Sequence, residues 1–245
     1  TLFRSEKIKK LFYKYAIPSV ISSIIFSIYI VIDGIFVGRV VGPQGLAMVN
    51  IAMPIFSMAL ALGIMVSVGG NTVVSIELGE GRKEDARESF SLGFFSLIVI
   101  SSVIGIIIFL FRYRVATALG ATPSLMKGVI EYLVILCLCV PFFTGGSYLA
   151  AGIRTMGMPT FSMFCTVLGS VLNIILDYVF VVLWGWGVAG AALASGIAFF
   201  ISFLLAFIKI QSKDSILKLK KCKINLRKIG RFFYNGSSEI GRAHV

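Results

Sequence analysis

Charge is scarce in this chain. Lys, Arg, Asp and Glu make up 14% of its 245 residues, against about 25% in an ordinary soluble domain. Only 11 residues are acidic and one is histidine, His244. The four cysteines, Cys137, Cys139, Cys165 and Cys222, include no CxxC pair, so the usual spacing of a zinc site or a dithiol redox centre is missing. The first three lie in apolar runs, where a thiol packs as a small hydrophobe. No catalytic pair or metal cluster is apparent, and neither enzymatic activity nor a cofactor is expected.

What fills the chain is apolar: 58% of residues are hydrophobic and the mean hydropathy is +0.96. The apolar residues fall in runs of about twenty, the length with which an α-helix crosses a hydrocarbon core about 30 Å thick. Runs at 11–37, 46–70, 89–111, 127–152, 160–183 and 188–208 predict an all-α membrane protein, a six-transmembrane-helix bundle. The first run is long enough to span and lacks a small-residue cleavage site, so it reads as a membrane helix and not a signal peptide. The net charge of +12 lies between the runs and forms no stripe with aromatics, which argues against a nucleic-acid partner and for the lipid bilayer.

Both ends look foreign. Back-translated, Thr1-Leu2-Phe3-Arg4-Ser5 and Glu239-Ile240-Gly241-Arg242-Ala243-His244-Val245 match adapter oligonucleotides used in short-read sequencing. Residues 1–5 and 239–245 are therefore set aside, and His244 with them. The natural frame is expected to continue past Ser237. The remainder divides into a membrane lobe at 6–211, a lysine-rich connector at 212–231, and the start of a truncated second lobe at 232–238.

Basic loops stay cytoplasmic. Lys7, Lys9, Lys10, Lys14, Arg82, Lys83, Arg87, Arg154 and the basic residues between Lys209 and Arg231 fall on the amino-terminal side; only Arg39, Arg112, Arg114 and Lys127 fall on the other. Both ends are thus expected in the cytoplasm, with Trp184 and Trp186 at the outer boundary, where indoles favour the headgroup layer.

Two acids lie well inside the spans, Asp33 in the first and Asp177 in the fifth. Each costs roughly 2.5–3.5 kcal/mol near a helix centre on insertion scales, and residues that costly usually serve an ion or substrate path. Counting back from Arg39 and Trp184 at 1.5 Å per residue puts both about 10 Å below the outer boundary. Ser195, on the inward-running sixth span, reaches nearly the same level, and Asn173 shares a helical face with Asp177. Two carboxylates, an amide and a hydroxyl suit Na⁺ or an exchangeable proton, and two bare carboxylates close together in a dry site repel each other. The plainer reading is that Asp33 snorkels toward Arg39, Asn173 bonds a neighbouring helix and Ser195 only packs. Pro18 cannot donate to Lys14 and is either a hinge or a tolerated proline near a helix start. Tyr29 and Ser22 share the Asp33 face and are candidates to line a cavity. Glu131 is expected to pair with Lys127, and Glu77 to Glu88 to form a solvated helical connector.

Four stretches carry a resemblance: Ala16-Ile-Pro18 with Val31-Ile-Asp33-Gly-Ile-Phe-Val-Gly38; Gly79 to Ala86; Leu172-Asn173-Ile-Ile-Leu-Asp177; and Gly187-Val-Ala-Gly-Ala-Ala-Leu-Ala-Ser195. They resemble the amino-terminal lobe of the multidrug and toxic compound extrusion (MATE) family over about residues 6–236. The resemblance implies one lobe of a twelve-helix, two-lobe transporter in a bacterial plasma membrane, exchanging Na⁺ or H⁺ for organic cations or amphipathic drugs. It also implies a cation site at Asp33, Asn173, Asp177 and Ser195, where many family members carry threonine at the last position, and a bend of the first helix at Pro18. A lipid-linked precursor flippase of the same superfamily is the alternative within transporters; its anionic clients would call for cationic residues inside the spans. A truncated, non-functional product is the other.

Overall fold

The computed structural model describes residues 8–222 and 225–242. Thr1 to Ser5 and His244 lie outside them. The order is α1 (Ile8–Val40), α2 (Pro43–Gly79), α3 (Lys83–Leu110), α4 (Arg112–Ala118), α5 (Met126–Thr155), α6 (Pro159–Asp177), a π-helical stretch (Tyr178–Leu183), α7 (Gly187–Gln211) and α8 (Leu226–Arg242). Six of these segments, α1, α2, α3, α5, α6 with its π stretch, and α7, are long and apolar enough to span a bilayer. Each overlaps one of the six predicted runs, and α2 continues past the predicted end at Gly70 to Gly79. The short α4, in the loop after α3, and α8 have no counterpart among them.

Glycine and proline set two of the turns between spans. Gly42 adopts φ 86° and Pro43 opens α2, while Gly157 adopts φ 86° and Pro159 opens α6. Glycine reaches that left-handed region without a Cβ clash, and proline is pre-organised for the first helical turn.

α5 is the inner helix and packs on α2, α3, α6 and α7. Half of its most apolar stretch is buried, against 11% for α1. The principal core gathers Phe90, Leu97, Tyr148, Leu149, Ile153, Ile210 and Leu217. Gly93 and Gly152 leave room for the rings of Tyr148 and Phe90, and the Tyr148 hydroxyl donates to the Phe90 carbonyl at 3.1 Å. Small residues allow this close helix approach, which supplies cohesion where lipid removes the hydrophobic drive between helices. Ile17, Val20, Ile24, Ile28 and Val31 of α1 face outward, as a surface in contact with hydrocarbon requires.

One expectation needs correcting. Glu77 is not part of a solvated connector: it belongs to α2 and is only 6% exposed, with Lys228 Nζ of α8 3.8 Å from its Oε1. The turn proper is Glu80–Arg82, where Arg82 pairs with Glu80 and Asp85. The polar connector is also no loose tether. Leu217 is fully buried, the Lys220 amide donates to Ser91 Oγ at 3.0 Å, and Lys220 Nζ meets Glu84 at 2.9 Å.

Candidate cation site and adjoining clefts

α1 carries Tyr29 and Asp33, one turn apart; α6 carries Asn173 and Asp177 at the same spacing; α7 adds Ser195. The packing of α1 and α7 on α6 brings these faces together. The carboxyl groups of Asp33 and Asp177 interact electrostatically, and two carboxylates so placed favour a shared proton or a cation between them. Asp177 is fully buried and Asn173 2% exposed. With the Asn173 amide oriented to satisfy its surroundings, its nitrogen donates to Asp177 Oδ2 at 3.1 Å. Its oxygen then accepts from Ser195 Oγ at 2.9 Å and from the Ser195 amide at 3.2 Å.

Asp33 Oδ1 and Asp177 Oδ1 are buried without a hydrogen-bond partner among the described residues. A buried carboxylate oxygen left unmatched is costly. Hard oxygen donors in this state suit a small cation or a proton. Immediately after Asp177 the helix widens into the π stretch, with the Trp184 amide bonding Val179 O at 2.9 Å. π-helical turns are rare and recur at functional sites.

Two clefts lie beside these residues, and Asp33 lines the first. One, about 50 Å³, is lined by Tyr29, Asp33, Tyr132, Cys139, Ser195 and Phe199 among others. The second, about 90 Å³, shares Tyr29 and Phe199; Phe26, Phe142, Phe143, Ser170 and Asn173 complete much of its wall. Among the described residues no lysine or arginine lines either. Aromatic walls beside carboxylates favour organic cations, which gain from π faces as well as from charge.

Asp33, Asn173, Asp177 and Ser195 thus come together, and Tyr29, 5% exposed, lines both clefts. Ser22 lines neither; its hydroxyl donates to the Pro18 carbonyl at 2.8 Å. Pro18 lies inside α1, which stays helical from Ile8 to Val40. Tyr132 and Phe199 were missed from sequence. Tyr132 had one signal, a polar tip on an aromatic inside an apolar span. Lys127 and Glu131 stand 4.0 Å apart on an exposed face.

A bundle with six helices long and apolar enough to cross a bilayer defines a multi-pass membrane protein. Residues 18–179 match the MatE family profile, and the chain belongs to that family. Multidrug export protein MepA of Staphylococcus haemolyticus is 27% identical over 215 residues, 88% of this chain and 48% of its own length. MepA of Staphylococcus aureus strain MRSA252 is 24% identical over 237 residues, 96% of this chain and 52% of its own. The chain spans about half the length of these relatives. In fold it resembles a MATE protein crystallised in complex with MaD3S, with a TM-score of 0.87 and 24% identity over 94% of this chain and 52% of that one.

Proposed function

We propose that this chain is the amino-terminal lobe of a multidrug efflux antiporter, which exports cationic or amphipathic organic compounds in exchange for Na⁺ or H⁺. The observation that carries the reading is the set of Asp33 and Asp177, each with a buried, unmatched carboxylate oxygen, where Asp33 lines an aromatic cleft that has no basic residue among the described residues. The name of the MepA relatives, multidrug export protein, supports export of drugs. Six of the family's helices are in hand, and a second lobe completes the transporter.

In this cycle the coupling cation enters between Asp33 and Asp177 and neutralises them. An organic cation in the adjoining cleft then loses its electrostatic anchor. α1, the least enclosed of the spanning helices, bends at Pro18, and the lobes rock between inward- and outward-open states. The excess of lysine and arginine on the side of both ends supports a cytoplasmic location for them.

Replacing Asp177 with Asn in the complete transporter is expected to cut cation-driven dye efflux by at least about tenfold, since one buried charge-assisted interaction is worth roughly 1.5–3 kcal/mol. Membrane insertion, followed by detergent-extracted yield, should stay normal. Drug resistance unchanged in cells carrying Asp177→Asn would sink the reading.

A further inference from the structure

The cleft that touches Asn173 has two unlike walls. One is aromatic, with Phe26, Phe142, Phe143 and Phe199; the other is a band of polar side chains, Ser147 of α5, Thr166, Ser170 and Asn173 of α6, and Ser202 of α7. The α6 members recur at helical spacing on the face that carries Asp177, and Ser162, 1% exposed, continues the band one turn before Thr166. Gly169 makes room for Ser202, because a Cβ there would overlap its hydroxyl. Serine and threonine in membrane helices commonly bond a nearby backbone carbonyl, as Thr166 Oγ1 does to Ser162 O at 3.3 Å and Ser202 Oγ to Cys165 O at 3.1 Å. Two hydroxyls here do not. Ser147 and Ser170, the latter 5% exposed, line the cleft with no side-chain hydrogen bond among the described residues. Ser162 Oγ is buried and unmatched as well.

A polar space of about 90 Å³ has room for several waters, each needing roughly 10–15 Å³ and two or more polar partners. Its position gives those waters a direction. On α6 the lining residues run from Asn173 back to Cys165, short of Asp177; on α1 they are Phe26 and Tyr29, short of Asp33. On α7 they follow Ser195 and end at Ser202, and on α5 they end at Ala150, near the end of the helix at Thr155. These four spans alternate in direction along the chain, so all four displacements point the same way, toward the side of the lysine-rich loops. From Asp177 to Ser162 the polar face of α6 extends about 22 Å at 1.5 Å per residue.

We propose that this cleft is a hydrated passage inside the lobe, through which the coupling ion moves between the Asp33 and Asp177 site and the cytoplasm. The inference rests on the efflux reading and adds a route to it: the ion leaves through the lobe, among α5, α6 and α7, and not through the space that opens between two lobes. A bare ion in the apolar half of a membrane is costly. Hydroxyl oxygens and the waters they hold solvate Na⁺ or pass on a proton alike. The recess lined by Asp33 is left to the organic substrate.

The test uses the complete transporter with Cys137, Cys139, Cys165, Cys222 and any cysteine of the second lobe replaced by Ala. Ser170→Cys is exposed to Ag⁺, a thiol-seeking cation close to Na⁺ in size, and dye efflux is followed. Added to the cytoplasmic face, Ag⁺ should block Ser170→Cys at least about tenfold faster than Val171→Cys, since only a thiolate binds the metal and it forms only where water reaches. Val171, the next residue on α6, is exposed with Phe164 and Ile175 on the apolar outside of the lobe. Faster block from the outer face than from the inner, or no block of Ser170→Cys, overturns the inference while the efflux reading stands. A second variant, Ser170→Leu, fills the cleft and should slow ion-driven efflux roughly tenfold while dye binding at equilibrium stays within about twofold. Retained binding shows that it is folded, and normal efflux in it overturns the inference. Efflux independent of both Na⁺ and pH in the unmodified transporter defeats the efflux reading, and this inference with it.

Discussion

Asn173 of α6 and Ser195 of α7 are joined side chain to side chain at 2.9 Å, one turn below Asp177. That bond ties α7 to the buried acid, because the same amide reaches Asp177 Oδ2. Ser195→Ala removes one neutral hydrogen bond, worth about 0.5–1.5 kcal/mol, and should raise the coupling-ion concentration needed for half-maximal efflux about three- to tenfold. Ser195→Thr keeps the hydroxyl and should match the wild type within about twofold. An unchanged ion dependence in the alanine variant would show that Ser195 only packs.

Much of this site was legible because membrane burial makes polar residues conspicuous. Asp33 and Asp177 stand out in apolar runs, and helix counting put them at one depth; that α1 packs on α6 came only from the structure. The six spans were legible for the same reason. What escaped were features that depend on contacts between distant segments. Tyr132 gives no local sign that α5 turns it toward Asp33. Glu77, in a run of charges, looks solvated until α8 is packed against it. The π stretch after Asp177 has the apolar composition of an ordinary helix, and no residue in Tyr178–Leu183 announces the change in backbone pattern.

Glu77 and Lys228 form a contact at 3.8 Å between the end of α2 and the start of α8, with Lys228 Nζ also donating to Ser89 Oγ at 3.2 Å. The glutamate side chain is 7% exposed and the lysine 33%, so part of the attraction is screened by water. A double-mutant cycle of Glu77→Gln and Lys228→Met should return a coupling of about 0.5–1 kcal/mol in thermal unfolding. A coupling near zero would make the approach of the two groups incidental.

Pro18 interrupts the hydrogen-bond ladder of α1 without interrupting its helical course from Ile8 to Val40. Its value, on the efflux reading, lies in movement and not in resting shape. Pro18→Ala restores a backbone donor and stiffens the helix. Turnover in reconstituted vesicles should fall several-fold while the half-saturating ion concentration stays within about twofold. A variant that transports at the wild-type rate would remove Pro18 from the cycle.

α8 is seated on α2 by two backbone contacts that admit no side chain. A Cβ on Gly69 would overlap the Phe232 carbonyl, and one on Gly236 would overlap Met65 O. Phe232, 1% exposed, fills the space beside Val73 and Leu92. Gly69→Val forces the two helices apart, at a cost of about 1–3 kcal/mol typical of overpacking. Gly230, on α8 with open space around it, is the control: Gly230→Ala meets nothing within 4 Å and should gain slightly, since glycine weakens a helix by about 0.5–1 kcal/mol relative to alanine. Hydrogen exchange read by mass spectrometry should show the α8 amides opening faster in Gly69→Val and no faster than wild type in Gly230→Ala. Equal protection of α8 in all three proteins would mean that α8 is not held through Gly69.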